Sequence, residues 1–355
     1  MKMMTDLAPW TDAEALTCTM AIPEAPNVRT FAFRADSGAW FRYRPGQFVT
    51  LELPLPGGPE LRTFTLSSSP SRPMTVSVTV KAQEGSVASR WMIDHLTPGM
   101  KLRASGPAGI FALPARPVAK HLFISAGSGI TPMVSMLTWL YDGGDDPDVG
   151  FITCARRPSD LIFRNRLEHM ATRVTGIKLH FVVREPDPYV VWTGYRGRFN
   201  QLMLGLMAPD YLERDVYCCG PEGFMQSVRD MLNELGYDMA RYHQESFHAP
   251  VETRADAVPL DDVIPQEDVR AQMVFARSGV TSTCRETDTV LAAAKAAGLN
   301  IPSGCTFGVC GTCKIRKLSG EVLMVHNGGI AEEDIEAGYI LACCSHPIGR
   351  VEVEV

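Results

Sequence analysis

The periodicity of hydrophobic and polar positions changes more than once along the chain. Between residues 15 and 115, short runs such as FAFRA, QFVTLEL and TVSVTV alternate or are rich in β-branched residues, and both patterns predict strands. Turn dipeptides such as Pro45-Gly46 and Gly106-Pro107 separate these runs. Many short strands joined by tight turns predict a closed antiparallel β-barrel, and one helix is expected near residues 86–96.

A second pattern covers residues 116–247. Continuous apolar runs such as HLFISAG, GFITCAR, KLHFVVR and DVYCCG alternate with helical stretches such as MVSMLTWLY and PEGFMQSVRDMLNEL. Strands that are apolar throughout are buried on both faces, and their alternation with helices predicts a parallel α/β domain.

The remaining chain divides in two. Residues 248–270 contain prolines and acidic residues without a clear period, which predicts an extended acidic linker. Residues 271–355 predict a small α+β unit with a strand pair, the helix VLAAAKAAG, a cysteine loop and a terminal strand, VEVEV. We therefore expect a barrel over 1–115, an α/β domain over 116–247, the linker over 248–270 and the α+β domain over 271–355.

Composition narrows the classes of function. A length of 355 residues suits two or three domains, and 45% hydrophobic with 21% charged residues is ordinary for a globular protein. The net charge of −6 lacks the basic excess of a nucleic-acid binder. No run approaches the roughly 20 apolar residues of a membrane span, and the first residues lack the apolar core of a secretory signal. We expect a cytoplasmic protein that binds neither nucleic acid nor membrane.

Negative charge and cysteine both concentrate late in the chain. Residues 1–247 hold 25 basic and 25 acidic residues, so the whole excess of −6 lies after residue 247. Six of the ten cysteines lie from Cys284 onward. Without an export signal, clustered cysteines indicate metal ligands rather than disulfides.

The spacing of four cysteines specifies the metal centre further. Cys305, Cys310 and Cys313 form C-x4-C-x2-C, and Cys343 follows after 29 intervening residues. This is the spacing of a plant-type [2Fe–2S] cluster, in which four thiolates hold two irons. A zinc site is the alternative, but zinc favours paired C-x2-C units and this loop holds one such pair.

Small residues and a neighbouring cysteine refine this prediction. Gly304, Gly308 and Gly311 leave room where backbone crowds a cluster, so that N–H groups can point at the sulfurs. Cys344 adjoins Cys343, and the residue types alone leave both open as the fourth ligand. We favour Cys343 because LACCSHP resembles the ferredoxin segment around that ligand.

A glycine loop follows the first apolar strand of the α/β domain. Gly127 and Gly129 allow the backbone to turn close to a pyrophosphate where a helix begins, and Thr131 and Pro132 complete the sequence GSGITP. The loop resembles the pyridine-nucleotide loop of the ferredoxin-reductase superfamily and differs from the Gly-x-Gly-x-x-Gly of Rossmann domains.

Two arginines stand at the end of the second strand of that domain. Arg156 and Arg157 could pair with the 2′-phosphate of NADPH or meet the ribose and diphosphate of NADH. We favour NADH, because relatives that use NADH also carry an Arg-x-Pro-x-Asp segment at this place. NADPH stays open, and a solvated surface charge is the alternative for Arg157.

The segment RTFTLSSSP resembles the Arg-x-Tyr-Ser/Thr flavin motif of the same superfamily. The resemblance implies that Arg62 pairs with a flavin phosphate, that Phe64 packs on the ring and that Thr65 hydrogen-bonds near flavin N5, with Thr63 between them. Phe64 replaces the usual tyrosine, so the ring contact is kept and the phenol hydrogen bond is lost.

Further downstream, VKAQEGSVASRWM resembles the second flavin segment of the superfamily. The resemblance implies that Ser86, Val87 and Ser89 lie at a helix N-terminus that faces the flavin pyrophosphate. Such a segment favours FAD. FMN remains open, because phthalate-dioxygenase reductases have the same domain order and use FMN.

Two segments near the end of the α/β domain also resemble superfamily motifs. Cys219, Gly220 and Pro221 match a Cys-Gly-Pro motif whose cysteine lies beside the nicotinamide C4 atom. The segment QESF matches the end of the nucleotide domain, and the resemblance implies that Glu245 and Phe247 approach the flavin.

The order of these motifs resembles that of phthalate-dioxygenase-type reductases, in particular the FAD-containing group that serves hybrid-cluster proteins or Rieske oxygenases of glycine betaine and carnitine. The resemblance implies a flavin barrel, a nucleotide domain and a β-grasp ferredoxin domain. It also implies an oxidoreductase that passes electrons from NADH through flavin and the [2Fe–2S] cluster to a terminal oxygenase, with Thr65 and Cys219 positioning flavin and nicotinamide. A hybrid-cluster protein or a diiron oxygenase is the alternative acceptor, and a redox sensor without turnover is the alternative class.

Overall fold

The computed structural model describes residues 8–82, 85–115, 117–144, 146–247, 269–303, 308, 311–326 and 329–355. These residues form two compact units, one made of 8–59 with 64–247 and the other of 60–63 with 269–355. The predicted linker 248–270 lies outside the described residues up to position 268.

An antiparallel barrel comes first in the chain, and all of it belongs to the first unit except residues 60–63 of its fourth strand. Its elements are β1 (Leu16–Ala25), β2 (Val28–Ala35), β3 (Phe48–Leu55), β4 (Gly58–Thr65), β5 (Val76–Lys81), α1 (Val87–His95), β6 (Lys101–Leu102) and β7 (Ala104–Ala108). The strands form two sheets, in the orders β5-β2-β1-β6 and β4-β3-β7, and a bridge between Leu66 and Val78 joins them. The antiparallel barrel is therefore confirmed, as two sheets over one core rather than one continuous ladder among the described residues.

Alternation of apolar side chains explains this core. Phe31 and Phe33 on β2, and Leu51 and Leu53 on β3, are at most 1% exposed and belong to one cluster. Successive side chains of a strand point to opposite faces, so residues two apart bury together. The two sheets therefore share one apolar interior.

Helix α1 closes one end of the barrel. Its N-terminus is capped by Ser86, whose Oγ accepts the backbone N–H of Ser89 at 3.3 Å. Met92 and Ile93 are buried in the barrel core, and the helix ends at His95, with Leu96 as its C-terminal cap ahead of the turn at 98–99. This matches the helix expected near residues 86–96.

The α/β part of the first unit is a fully parallel sheet. Its elements are β8 (Lys120–Ala126), α2 (Ile130–Gly143), β9 (Asp148–Ala155), α3 (Arg164–Arg173), β10 (Ile177–Val183), β11 (Tyr195–Arg196), α4 (Gln201–Met207), β12 (Asp215–Cys219), α5 (Glu222–Glu234) and β13 (Tyr242–Glu245). The strand order is β11-β10-β9-β8-β12-β13. Because all pairs are parallel, the carboxyl ends of these strands meet at one edge.

Polar contacts fix the barrel against α2. The carboxylate of Asp142 accepts hydrogen bonds from Ser71 Oγ at 2.6 Å and from Arg72 Nε and Nη2 at 2.9 and 2.8 Å. Ser135 Oγ accepts the backbone N–H of Gly46 at 3.3 Å. The barrel and the parallel α/β part are therefore held in one orientation.

The described residues of the second unit form a mixed sheet and two helices. Its elements are β14 (Arg270–Phe275), β15 (Val280–Arg285), α6 (Val290–Ala296), β16 (Lys314–Met324), α7 (Glu332–Glu336), β17 (Tyr339–Leu341) and β18 (Ser345–Val353). The order is β15-β14-β18-β16-β17, with β14 and β18 parallel and α6 packed on the core. This confirms the predicted α+β domain.

One predicted element has different bounds. The terminal strand was expected at VEVEV, but β18 begins at Ser345 and ends at Val353. Within the part of the chain that the structure describes, Pro347 lies where β18 pairs with β16 alone, before its pairing with β14 begins at Arg350. A proline lacks a backbone N–H and is tolerated where a neighbouring strand is absent.

Among the described residues, no helix combines the length and apolar character that crossing a membrane requires.

Candidate functional site

Three of the predicted site residues meet at the carboxyl edge of the parallel sheet. Cys219 ends β12 and Glu245 ends β13, and the two are register partners. Thr65 ends β4 of the barrel, and its Oγ1 donates to Glu245 Oε2 at 3.4 Å. Cys219 is fully buried, and Thr65 and Glu245 are each 8% exposed. The structure thus brings a hydroxyl, a thiol and a carboxyl together at a site that is buried from solvent.

Burial sets the protonation of this group. It raises the pKa of the Glu245 carboxyl to about 8, against the opposing effect of the Thr65 hydrogen bond. Burial, followed by the charge of Glu245, raises the pKa of the Cys219 thiol well above its usual value. Near pH 7 both groups are therefore largely neutral. They can stand beside a reacting ring without a fixed charge, and the carboxyl can donate a hydrogen bond.

The glycine loop lies directly on the backbone behind Cys219. A Cβ on Gly129 would be 2.2 Å from the carbonyl oxygen of Cys219 and 2.6 Å from the nitrogen of Gly220. Gly127 has φ +57°, and Lys81 Nζ lies 3.9 Å from where its Cβ would be. The close approach explains why glycine stands at position 129. Lys81 supplies a positive charge beside the loop.

The remaining residues of these two motifs shape helix starts. Thr131 Oγ1 donates to the carbonyl of Ser128 at 3.0 Å, and Thr131 and Pro132 are buried in the first turn of α2. Pro221 precedes the first residue of α5, and Gly220 beside it is half-buried. Free N–H groups at such helix starts can bind phosphate.

The first flavin motif begins in the second half of strand β4, which ends at Thr65. Thr63 and Phe64 are half-buried, and Phe64 packs against the barrel core. Arg62 is exposed, where it pairs with the Glu60 carboxylate and donates from Nη1 to the carbonyl of Leu61 at 2.8 Å. A flavin phosphate would have to compete with Glu60 for this guanidinium.

The second flavin segment opens onto a cavity of about 670 Å³ at the start of α1. Ser86 and Val87 line it, whereas Ser89 is buried and does not. The full lining is Asn27, Pro56, Ala82, Gly85, Ser86, Val87, Arg90, Trp91 and His95. A helix N-terminus with an aromatic wall suits a pyrophosphate joined to an adenine. The volume is typical of a small-molecule site.

The cysteine loop is described in part. Cys305, Cys310 and Gly304 lie outside the described residues. Cys313 and Cys343 are buried, the N–H of Gly308 donates to Cys343 Sγ at 3.3 Å, and the N–H of Cys343 donates to Cys313 Sγ at 3.4 Å. Backbone donors aimed at two thiol sulfurs fit a thiolate-ligated cluster.

Cys344 has different surroundings from Cys343. Its Sγ donates to the carbonyl of Leu341 at 3.7 Å and lies 2.8 Å from where a Cβ on Gly308 would be. Gly308 has φ +73°. The Cys344 thiol therefore packs against Gly308, while the Gly308 amide points to Cys343.

The predicted arginines lie on the same sheet edge, away from Cys219. Arg156 and Arg157 are exposed, and their Nε atoms lie 3.9 and 3.6 Å from the Glu185 carboxylate. Phe247 is half-buried against the core of the nucleotide domain.

Sequence reasoning missed several residues at these places. Lys81 stands at the start of the second flavin segment but was not singled out, and Glu185 belongs to no motif. Their positions at strand ends are the signal that could have found them. Trp91 and His95 are four residues apart on α1, with ring centroids 6.2 Å apart. That spacing puts two residues on one helix face and could have marked the cavity wall.

The fold and these sites define a class: a flavin barrel, a nucleotide domain and a ferredoxin-like domain in one chain. Three family models match, namely an oxidoreductase FAD-binding domain over 17–113, an oxidoreductase NAD-binding domain over 123–230 and a 2Fe-2S iron-sulfur cluster binding domain over 274–347. These confirm the expected cofactor set of FAD, a nicotinamide coenzyme and a [2Fe–2S] cluster.

Whole-chain relatives specify the family. The stachydrine N-demethylase reductase subunit Stc4 of Rhizobium meliloti (strain 1021) is 64% identical over 354 residues and covers 100% of both chains. The glycine betaine monooxygenase reductase subunit of Pseudomonas aeruginosa (strain UCBPP-PA14) is 44% identical over 353 residues, covering 97% of this chain and 96% of its own. The solved structure of phthalate dioxygenase reductase shares the fold, with a TM-score of 0.61 and 23% identity over 98% of this chain and all of the other.

The chain belongs to this family of reductase subunits of oxygenase systems. It is an oxidoreductase, which confirms the predicted enzyme class. The names of these relatives, as reductase subunits, agree with the kind of partner that was expected.

Proposed function

We propose that this chain carries electrons from NADH, through FAD and a [2Fe–2S] cluster, to the Rieske-type terminal component of an N-demethylase that acts on a methylated amine such as stachydrine. The observation that carries the proposal is the 64% identity over the full length of both chains with the stachydrine N-demethylase reductase subunit. The glycine betaine monooxygenase reductase subunit, at 44%, supports a methylated amine but is less similar. Both names favour an oxygenase partner over a hybrid-cluster protein.

Thr65, Cys219 and Glu245 act where the two coenzymes meet. When bound, the flavin accepts hydride and gives up electrons singly, which is chemistry of the cofactor rather than of the protein. Thr65 Oγ1 orients the Glu245 carboxyl through its hydrogen bond. Glu245 holds its proton at neutral pH because it is buried. With the coenzyme bound, Cys219 would present a neutral thiol to the nicotinamide, and burial of all three residues excludes water.

The other predicted residues bind the coenzymes in this proposal. Those at the nucleotide site are Gly127, Gly129, Thr131, Pro132, Arg156, Gly220 and Pro221, and those at the flavin site are Arg62, Thr63, Phe64, Ser86, Val87, Ser89 and Phe247. The close approach of Gly129 to the Cys219 backbone and the cavity at Ser86 and Val87 support the two pyrophosphate positions. Because Arg62 already pairs with Glu60, we expect Arg62 to contribute less to flavin binding than the other residues.

The cluster ligands in this proposal are Cys305, Cys310, Cys313 and Cys343. The hydrogen bonds that the sulfurs of Cys313 and Cys343 accept from backbone amides support two of the four, and the different contacts of Cys344 favour Cys343 over it. Cys305 and Cys310 rest on their spacing.

The domain boundaries at 115, 247 and 270 and a cytoplasmic location are also part of the proposal. The matched ranges 17–113, 123–230 and 274–347 fall within the proposed domains. A cytoplasmic location suits thiol ligands, which that compartment keeps reduced.

An acidic surface beside the cluster loop supports docking to a protein. The N–H of Gly329 donates to the carbonyl of Gly308 at 2.9 Å, and α7 begins three residues after Gly329. Glu332, Glu333 and Glu336 on α7 are exposed. Opposite charge on a partner would steer this end of the chain towards it.

The substrate part of the proposal is tested by reconstitution with two terminal components. The purified holoprotein is combined with the terminal component of the stachydrine N-demethylase or of the glycine betaine monooxygenase, and NADH-dependent formaldehyde release is measured. We expect at least tenfold faster turnover with the stachydrine system. Equal rates, or faster turnover with the glycine betaine system, would overturn the choice of substrate.

The docking part is tested with charge variants at rising salt. The double variant Glu332→Gln/Glu333→Gln should slow coupled demethylation and flatten its dependence on salt, because the steering field is weaker. Reduction of a small dye by NADH should stay the same. Glu234→Gln, an exposed carboxylate on α5 of the nucleotide domain, is the matched control. Equal effects of both variants would show that the acidic surface of α7 has no special role.

A further inference from the structure

Three guanidinium groups converge on one carboxylate at the carboxyl edge of the parallel sheet. Arg184 Nη2 lies 2.8 Å from Glu185 Oε1, Arg157 Nε lies 3.6 Å from Oε2, and Arg156 Nε lies 3.9 Å from Oε1. The arginine side chains are 48 to 66% exposed and that of Glu185 is 35% exposed. A ligand can therefore reach the group from solvent.

The backbone holds this group in place. The N–H of Glu185 donates to the carbonyl of Arg156 at 2.7 Å, and the N–H of Arg184 donates to the carbonyls of Ala155 and Arg156, both at 3.1 Å. The ends of β9 and β10 are thus joined. The side chains project from a rigid edge rather than from a loose loop.

Strand order shows which part of a coenzyme would lie there. Cys219 ends β12, Gly127 follows β8, and the arginine group follows β9 and β10, in the order β10-β9-β8-β12. Neighbouring strands lie about 5 Å apart, so β12 and β10 end about 15 Å apart. A dinucleotide with its nicotinamide at Cys219 and its pyrophosphate at the glycine loop extends its adenosine ribose towards Glu185.

The 2′ substituent of that ribose distinguishes the two coenzymes. NADPH carries a 2′-phosphate with close to two negative charges, and three arginines without an acid would bind it well. NADH carries a hydroxyl, which can donate a hydrogen bond to a carboxylate. Glu185 occupies the guanidinium groups and presents a negative charge to the phosphate.

The neighbouring acids are engaged elsewhere. Asp160 accepts the backbone N–H of Arg157 at 3.1 Å, and Asp187 accepts the backbone N–H groups of Ser159 and Tyr189 at 3.3 and 2.8 Å. In the described part of the chain, Glu185 is therefore the acid that meets this arginine group.

We propose that Glu185 is a specificity-determining residue that makes the chain select NADH over NADPH, by occupying an arginine group that would otherwise bind the 2′-phosphate. The inference rests on the proposed function, in which the coenzyme lies along this edge with its nicotinamide at Cys219.

The test compares kcat/KM for NADH and NADPH in dye reduction by the full holoprotein. The wild type should favour NADH. Glu185→Gln should raise kcat/KM for NADPH at least tenfold and lower that for NADH no more than fivefold. As a readout without turnover, 2′,5′-ADP should compete with NADH at least tenfold more tightly in the variant, while 5′-AMP should compete equally well in both proteins.

Two further variants serve as controls. Glu213→Gln removes a carboxylate that pairs with Lys120 at the opposite edge of the sheet, and it should leave the ratio of the two coenzymes unchanged. Adding Arg184→Gln to Glu185→Gln should abolish the gain for NADPH. A wild type that prefers NADPH, or a ratio that Glu185→Gln leaves unchanged, overturns the inference. Failure to oxidise either coenzyme would instead overturn the proposed function.

Discussion

The hydroxyl of Thr65 donates to the carboxyl of Glu245 across 3.4 Å, although 180 residues of chain separate them. Thr65 ends a strand of the flavin barrel and Glu245 ends the last strand of the nucleotide domain. The bond joins the two domains at the place where flavin and nicotinamide are proposed to meet. Because Thr65 lowers the pKa of Glu245 and burial raises it, residues of both domains determine whether this carboxyl is protonated.

Replacement of Glu245 by Gln should change the pH dependence of stability. The folded pKa of about 8 exceeds the ordinary value of 4.5, so the folded state holds the proton more tightly. Stability of the wild type therefore falls as pH rises from 4.5 through 8, by an amount on the order of 3 to 5 kcal/mol. Glu245→Gln lacks this loss. Melting temperatures of the two holoproteins should agree near pH 5, and the variant should be the more stable at pH 8.5.

The matched control for this prediction is Glu222→Gln. Glu222 is exposed in the first turn of α5 in the same domain. Its replacement should follow the wild-type pH curve. Parallel curves for Glu245→Gln and the wild type across pH 5 to 8.5 would contradict the raised pKa.

Replacement of Cys219 by Ala should slow reduction of the flavin by NADH at least tenfold, because the thiol is proposed to position the nicotinamide ring. The flavin absorbance should be unchanged, since the flavin site does not lose a contact group. Stopped-flow absorbance at the flavin band measures the rate.

Cys218→Ala is the control for this variant. Cys218 precedes Cys219 on β12, is equally buried, and packs in the other core of the sheet. Its loss removes a similar volume without touching the proposed nicotinamide position. An unchanged rate in Cys219→Ala, or equal slowing by both variants, would show that Cys219 has no positioning role.

Much of the fold could be predicted because its patterns are local. The alternation of β2 and β3, the apolar run of β8 and the serine cap of α1 each occupy a few consecutive residues. Contacts between distant segments could not be derived from spacing. Nothing in the sequence around Thr65 indicates a contact with Glu245. The role proposed for Glu185 can be recognised only once the strand order places Arg156 next to it. The motif resemblance named Glu245 but not its partner.

Replacement of Gly129 by Ala should weaken NADH binding. The new Cβ would lie 2.2 Å from the carbonyl oxygen of Cys219, which is backbone that cannot rotate away. The loop must shift, at a cost typical of overpacking, about 1 to 3 kcal/mol. The KM for NADH should rise at least tenfold.

Gly143→Ala provides the contrast. Gly143 is the last residue of α2 with nothing within 4 Å of its Cβ position, so alanine should stabilise the chain by about 0.5 to 1 kcal/mol. An unaltered KM in Gly129→Ala would show that the loop tolerates the shift.

Replacement of Cys343 and of Cys344 by Ser should separate their roles. Cys343 Sγ accepts the N–H of Gly308 as a thiolate ligand would, whereas Cys344 Sγ donates to the carbonyl of Leu341. Cys343→Ser should lower bound iron well below the roughly two per chain of a [2Fe–2S] cluster and lose its visible circular dichroism. Cys344→Ser should keep both, because its hydroxyl can still donate to Leu341. Loss of the cluster in Cys344→Ser alone would make Cys344 the fourth ligand.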